Sequence, residues 1–283
     1  MSDYLRGVDI EVIESIKISL GWHLRTFGGR ADFKKMYQNA PCLRYADAFR
    51  QIYQTRLVAS DNNALNTAMI DSLSNAAKLS ELIDVWRMIG IECRSGGSST
   101  ELPDGEQGYK RIFELPLKDM MKSMAVDVLC RQWSGSPDAF TPLLERLFQT
   151  ADVSEQQLIV LVLPVLQSPE RFLHVATEAT RTNIVPVFSA LALRNPFPEV
   201  YFNENQWNQM VLKAIFLNCD VNEIDGLHER HNPALSETIF QYVSERHSAN
   251  RSVPAAVVAL CERALCEKSQ NQLDAIKPVL RQE

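Results

Sequence analysis

Apolar residues recur at three- and four-residue spacing through most of this chain, the period of helices that bury one face. From Asp9 to Phe27 the stripe is Ile10, Ile13, Ile16, Leu20 and Leu24. Glu11 and Glu14 stand early and Lys17 and Arg25 late, which complements the helix dipole, and Gly28-Gly29 ends the run. A second helix is expected from Leu43 to Leu57, with Tyr45, Ala48, Phe49, Ile52 and Tyr53 inward. Asn63 to Leu73 and Ser74 to Ile91 follow, as one helix or two. The later segment places Leu79, Leu82, Ile83, Trp86 and Ile89 on one side. The period then stops. Arg94 to Gly108 carries Gly96, Gly97, Gly105 and Gly108 and no apolar stripe, so it reads as a flexible linker.

Beyond the linker, Tyr109 to Leu117 is expected as a short extended piece. Leu117 to Trp133 reads as a helix whose Met120, Met121 and Met124 are core filler. Prolines and polar residues then mark helix starts. Ser136-Pro137, Ser168-Pro169 and Asn232-Pro233 each pair a capping side chain with a proline suited to the first helical turn. Asp152 with Glu155, and Asn203 with Gln206, have the spacing of a capping box. Ser252 precedes a helix from Ala255 to Leu265, and Gln270 to Leu280 is expected as a last short one.

These elements predict an all-α fold. The prolines recur at helical-hairpin intervals without a repeated residue motif. An irregular stack of helical hairpins, loosely HEAT-like, is therefore expected, as an α-solenoid or a compact helical bundle. The organisation expected is 1–93 as an N-terminal helical region, 94–108 as linker and 109–283 as a C-terminal helical domain.

Composition narrows the picture. Eleven glycines in 283 residues suit helices better than sheets rich in tight turns. The net charge of −6 argues against nucleic acid as the main partner. Asp9, Glu11 and Glu14 stand where a secretory leader would be apolar. The longest apolar run, Leu158 to Leu166, falls far short of the roughly 20 residues a transmembrane helix needs. The six cysteines form no CxxC pair and read as reduced thiols, which suits the cytoplasm.

The candidate chemistry gathers between Arg181 and Phe216. Pro186 interrupts a helical run, so the helix either starts close to it, with Asn183 near the cap, or kinks there. Asn195-Pro196-Phe197-Pro198 reads as a rigid connection. On the next helix Trp207, Met210, Val211, Ala214 and Ile215 make a buried stripe, while Gln206, Gln209 and Lys213 share another side. Arg181, Asn183, Asn195, Trp207, Asn208 and Lys213 are the expected substrate-binding residues. The cations would neutralise an acid, the amides would bond polar groups, and Trp207 would supply a flat apolar wall. His228 and His231, three apart, are the candidate metal ligands. No P-loop, GxSxG or EF-hand pattern occurs. No cofactor is expected.

The pieces LPVLQSPERF, RTNIVPVFSALALRNPFPEVYFNENQWNQMVLKAIF and GLHERHNPALSETIFQYVSERHSANRSV, in this order, resemble the C-terminal half of EboA-type proteins. The most specific segments are Thr182-Asn183, Ala192 to Pro196, and Tyr201-Phe202 followed by Trp207 to Ala214. The likeness spans Leu163 to Val253. Arg230 and Asn232-Pro233 agree with the family. His228 and His231 stand where it usually has an aspartate and a small residue, which weakens the metal reading. The resemblance implies a bacterial cluster of metabolite-traffic genes, whose neighbours include a prenyltransferase-like membrane protein. It implies a pathway and no reaction. The expectation is a non-enzymatic binding or adaptor protein of secondary metabolism, holding a polar metabolite or a pathway protein near Arg181–Lys213. The alternative is a helical enzyme of secondary metabolism, with or without a metal, that uses the same cleft.

Overall fold

The computed structural model describes residues 41–74, 79–93, 112, 115–133 and 137–280. The expected Asp9–Phe27 helix and the 94–108 linker lie outside these residues. The fold is all-α, with helices throughout the described residues and no sheet. By compactness the chain divides into two units, one of residues 1–150 with 161–169, the other of residues 151–160 with 170–283.

In the first unit the helices are α1 (Pro41–Val58), α2 (Asn63–Leu73), α3 (Leu79–Glu92), α4 (Leu117–Gln132) and α5 (Pro137–Thr150). The segment left open in the sequence is two helices, since α2 stops at Leu73 and α3 starts at Leu79. Phe49, Ile52, Tyr53 and Leu57 on α1 are buried, as are Leu82, Trp86 and Ile89 on α3. Met120, Met121 and Met124 are buried too, so the methionines do fill a core. Helix α4 packs against α1, α2 and α3. It is therefore buried from Ser123 to Cys130 on every side, and Asp127 is trapped with it at 0% exposure.

That carboxylate is neutralised from two directions. Arg50 Nε and Nη2 donate to its oxygens at 3.3 and 3.1 Å, and Arg131 Nη2 lies 2.9 Å from Oδ2. Arg50 Nη2 also donates to the Val165 carbonyl at 2.9 Å, tying α1 to the 3₁₀ turn Leu163–Val165. Burial alone would disfavour the Arg50 cation. The Asp127 charge and hydrogen bond reverse this, and its pKa is raised.

The second unit contains α6 (Val153–Val162) up to Val160, α7 (Leu173–Arg181), α8 (Val185–Ala192), α9 (Phe197–Tyr201), α10 (Glu204–Phe216), α11 (Pro233–Ser248), α12 (Ala255–Cys261) and α13 (Glu267–Ile276). The capping box ahead of α6 forms: Glu155 N donates to Asp152 Oδ1 at 2.9 Å and Asp152 N to Glu155 Oε2 at 3.2 Å. At Ser168-Pro169 the outcome differs. Ser168 adopts φ 53 and Pro169 opens a 3₁₀ turn, Pro169–Phe172, before α7 begins. A proline fixes its own φ for either helix type, so the dipeptide marks a start without selecting which kind. Near the C-terminus, α12 ends earlier than expected, at Cys261.

Candidate functional site

The α7–α8 corner starts from Pro186. It sits in the first turn of α8, where its missing N–H removes no helix bond, so the helix begins there and is not kinked. The residue that bonds the incoming chain is Thr182, whose Oγ1 accepts from Ile184 N at 3.2 Å. Asn183 is left exposed at the bend, beside exposed Ile184 and Val185. Arg181, on the last turn of α7, is exposed and pairs with Glu178 at 2.7 Å.

Lys213 joins this corner from α10. Its Nζ donates to the carbonyls of Thr180 and Thr182, both at 2.6 Å. These groups belong to the C-terminal end of α7, where carbonyls lack helical partners and the dipole favours a cation. The ammonium also lies 5.1 Å from the centre of the Phe188 ring. Partial desolvation lowers its pKa. Gln206 faces the same helix and donates to Thr177 Oγ1 at 3.3 Å. The shared side of Gln206 and Lys213 thus docks on α7, while Gln209 stays exposed and donates to Asn205.

The other expected binding residues go elsewhere. Asn195 is 1% exposed. Its Nδ2 donates to the carbonyls of Val160 and Ala190 at 3.3 and 3.0 Å, and its Oδ1 accepts from Phe197 N at 3.0 Å. It satisfies a chain break between α8 and α9 that would otherwise bury three backbone groups. Asn195→Ala is expected to cost about 1–3 kcal/mol, the penalty of leaving such groups unpaired. A urea melt followed by circular dichroism measures it. Trp207 is 0% exposed, so its ring forms part of the core and not a wall open to solvent. Asn208 is half-buried and forms a reciprocal amide pair with Asn232, at 3.2 and 2.9 Å. Asn232 also caps α11 by accepting from Leu235 N at 3.0 Å. Arg181, Asn183 and Lys213 are therefore brought together, and Asn195, Trp207 and Asn208 lie behind or beside them.

The organising cation of this region is Arg230. Its Nη1 donates to the carbonyls of Pro198 and Glu199 at 2.7 and 3.0 Å, and its Nη2 to that of Phe202 at 2.7 Å. It thereby closes the C-terminal end of the short helix α9. Its guanidinium also stacks over Trp207, 4.7 Å from the ring centre. Burial lowers its pKa, against the opposing charges of Glu199 and Glu204. Sequence reasoning noted Arg230 within the resemblance and assigned it no role. Helix α9 was missed as well, because its two prolines read as a stiff connection when they mark a helix start.

The remaining polar groups lie in the loop between α10 and α11. Arg194, at φ 53, pairs with Glu223 and donates its own N–H to the Glu223 carbonyl at 2.7 Å. Asp225 Oδ2 is buried and has no hydrogen-bond partner among the described residues. His228 is exposed. His231 Nε2 lies 2.6 Å from Ser236 Oγ, and Ser236 is fully buried, so this pair offers no nucleophile to solvent. Desolvation, then the charges of Arg263 and His228, lower the His231 pKa and favour the neutral ring. Among the described residues no group of three His, Cys, Asp or Glu side chains could hold a metal ion. None of their helices is long and apolar enough to cross a membrane.

The second unit is an all-helical fold whose helix ends are closed by Lys213, Arg230, Asn195 and Asn232, with an exposed corner at Arg181 and Asn183. Residues 123–262 match the family model described as metabolite traffic protein EboA. No curated protein and no solved structure is similar enough to the chain to count as a match.

Proposed function

We propose that this protein is a non-enzymatic binding or adaptor protein of a secondary-metabolite biosynthesis or traffic pathway, acting in the cytoplasm. It holds a polar, acidic metabolite or a pathway protein at the α7–α8 corner. The observation that carries the reading is the grouping of Arg181, Asn183 and Lys213 at an open bend bordered by Ile184 and Val185. Lys213 donates two hydrogen bonds to carbonyls, and among the described residues its ammonium has no third hydrogen-bond acceptor, only the Phe188 ring. Arg181 is tied only to exposed Glu178 within its own helix, a pair that contributes little to stability and is readily exchanged for an anion. Asn195, Trp207 and Asn208 serve the site by holding its backbone in place. The family description, metabolite traffic, agrees with carriage more than with conversion.

Native mass spectrometry of freshly purified full-length protein tests this. The expected result is a bound acidic small molecule or a pathway protein that is lost from an Arg181→Ala, Asn183→Ala double variant of unchanged melting temperature. A bound species retained by that variant, or a wild-type chain carrying neither, overturns it.

A further inference from the structure

The loop from Cys219 to Asn232 contains a carboxyl group that the scaffold does not use. Asp225 Oδ2 is shut away from solvent without a donor, although a buried carboxylate normally accepts several hydrogen bonds. Next to it, Gly226 adopts φ +73, a region open to glycine. The side chain of Glu199 from α9 lies so close over this glycine that a Cβ there would be 2.3 Å from Glu199 Cγ. The Glu199 side chain is thus packed against this loop at the residue after Asp225, and its charge acts on that carboxyl.

We propose that Asp225 must be protonated for this loop to seat on α9, and that its ionisation releases the loop. The charged groups around it decide the balance. Glu199, from α9, opposes ionisation. Arg194, from the α8–α9 connection, favours it, but its guanidinium is engaged by Glu223 of the 3₁₀ turn Val221–Glu223. Arg230, from the loop itself, directs three hydrogen bonds to the carbonyls of α9 and the residue after it. Glu204, from the first turn of α10, acts on Arg230, and His228 and Glu229 are exposed. Among the described residues no cation is bonded to Asp225, and the Glu199 charge works against its ionisation.

The direction in pH follows from linkage. Burial, then Glu199, raises the Asp225 pKa from 3.8 to about 7. The seated loop therefore binds a proton that the released loop gives up. Seating is strongest below the ordinary aspartate range. It weakens as pH rises towards 7 and levels off above it. Release would also free Arg230 from α9, since it belongs to the same loop, and would bear on the cation over Trp207.

Amide hydrogen exchange of the full chain, corrected for intrinsic rates, tests the device at about pH 6 and about pH 8. The reporters are the Leu227 and Arg230 amides, which donate to Ile224 and Gly226 carbonyls within the loop. In the wild type their protection should fall about tenfold from the lower to the higher pH, as one proton is lost. In Asp225→Asn, which is neutral throughout, protection should be high and equal at both. Equal protection in the wild type at both values overturns the proposal, as does a pH-dependent loss retained in Asp225→Asn. If that variant does not fold, carbon NMR of the wild-type Asp225 carboxyl decides: a midpoint near 7 supports the device and one near 4 overturns it.

Discussion

Asp127→Ala lowers the stability of the first unit by about 3–5 kcal/mol, the range for breaking a buried ion pair from one side. The loss is this large because the variant strands cations. Arg50 would keep only the Val165 carbonyl and the looser pair with Asp47 at 3.8 Å, and Arg131 would lose its buried carboxylate. Stability is read from chemical denaturation followed by the fluorescence of Trp86 and Trp133, both of this unit. A companion variant separates charge from packing. Asp127→Leu together with Arg50→Met replaces the pair by apolar groups of similar size, and most of the loss should be recovered. If the double variant is as unstable as Asp127→Ala, the charge account is wrong.

Trp207→Ala is the counterpart in the second unit, at about 3–5 kcal/mol, the cost of removing a fully buried aromatic side chain. Here two effects add. A large cavity opens beneath α10, and the Arg230 guanidinium loses the ring on which it rests. Trp207→Phe should lose much less, because it retains an aromatic face for the cation and most of the volume. Its indole Nε1 has no hydrogen-bond partner among the described residues, so no polar contact is sacrificed. Thermal unfolding by circular dichroism distinguishes the two. Equal losses for both variants would show that neither volume nor the aromatic face matters at this position.

Much of the second unit was legible because its signals are local. The Asn203–Gln206 capping box forms in both directions, at 2.9 and 3.1 Å, since its four residues need nothing from elsewhere in the chain. Asn232 caps α11 for the same reason. The stripe Trp207, Met210, Val211, Ala214 and Ile215 is buried in full, because helical period alone decides which residues share a face. The roles of the polar residues were far less legible. Asn195 and Asn183 look equally available in sequence, and one is enclosed while the other is exposed. Lys213 looks like a cation awaiting an anion, and most of its donor capacity is used by the end of a helix some thirty residues away. A spacing of three or four residues cannot report an acceptor supplied by another segment.

By itself the sequence determined that this protein is helical, where most of its helices begin, and which faces they bury. Each of those depends on neighbours within one or two turns. It also carried the match to the EboA family model over residues 123–262. Only the tertiary structure decided that Arg230 closes α9, that Asp127 lies between two arginines, and that Asp225 Oδ2 is buried without a donor where the Glu199 charge acts on it. Those outcomes depend on which distant carbonyls and charges burial brings within about 3 Å of a side chain, and no local pattern encodes that distance.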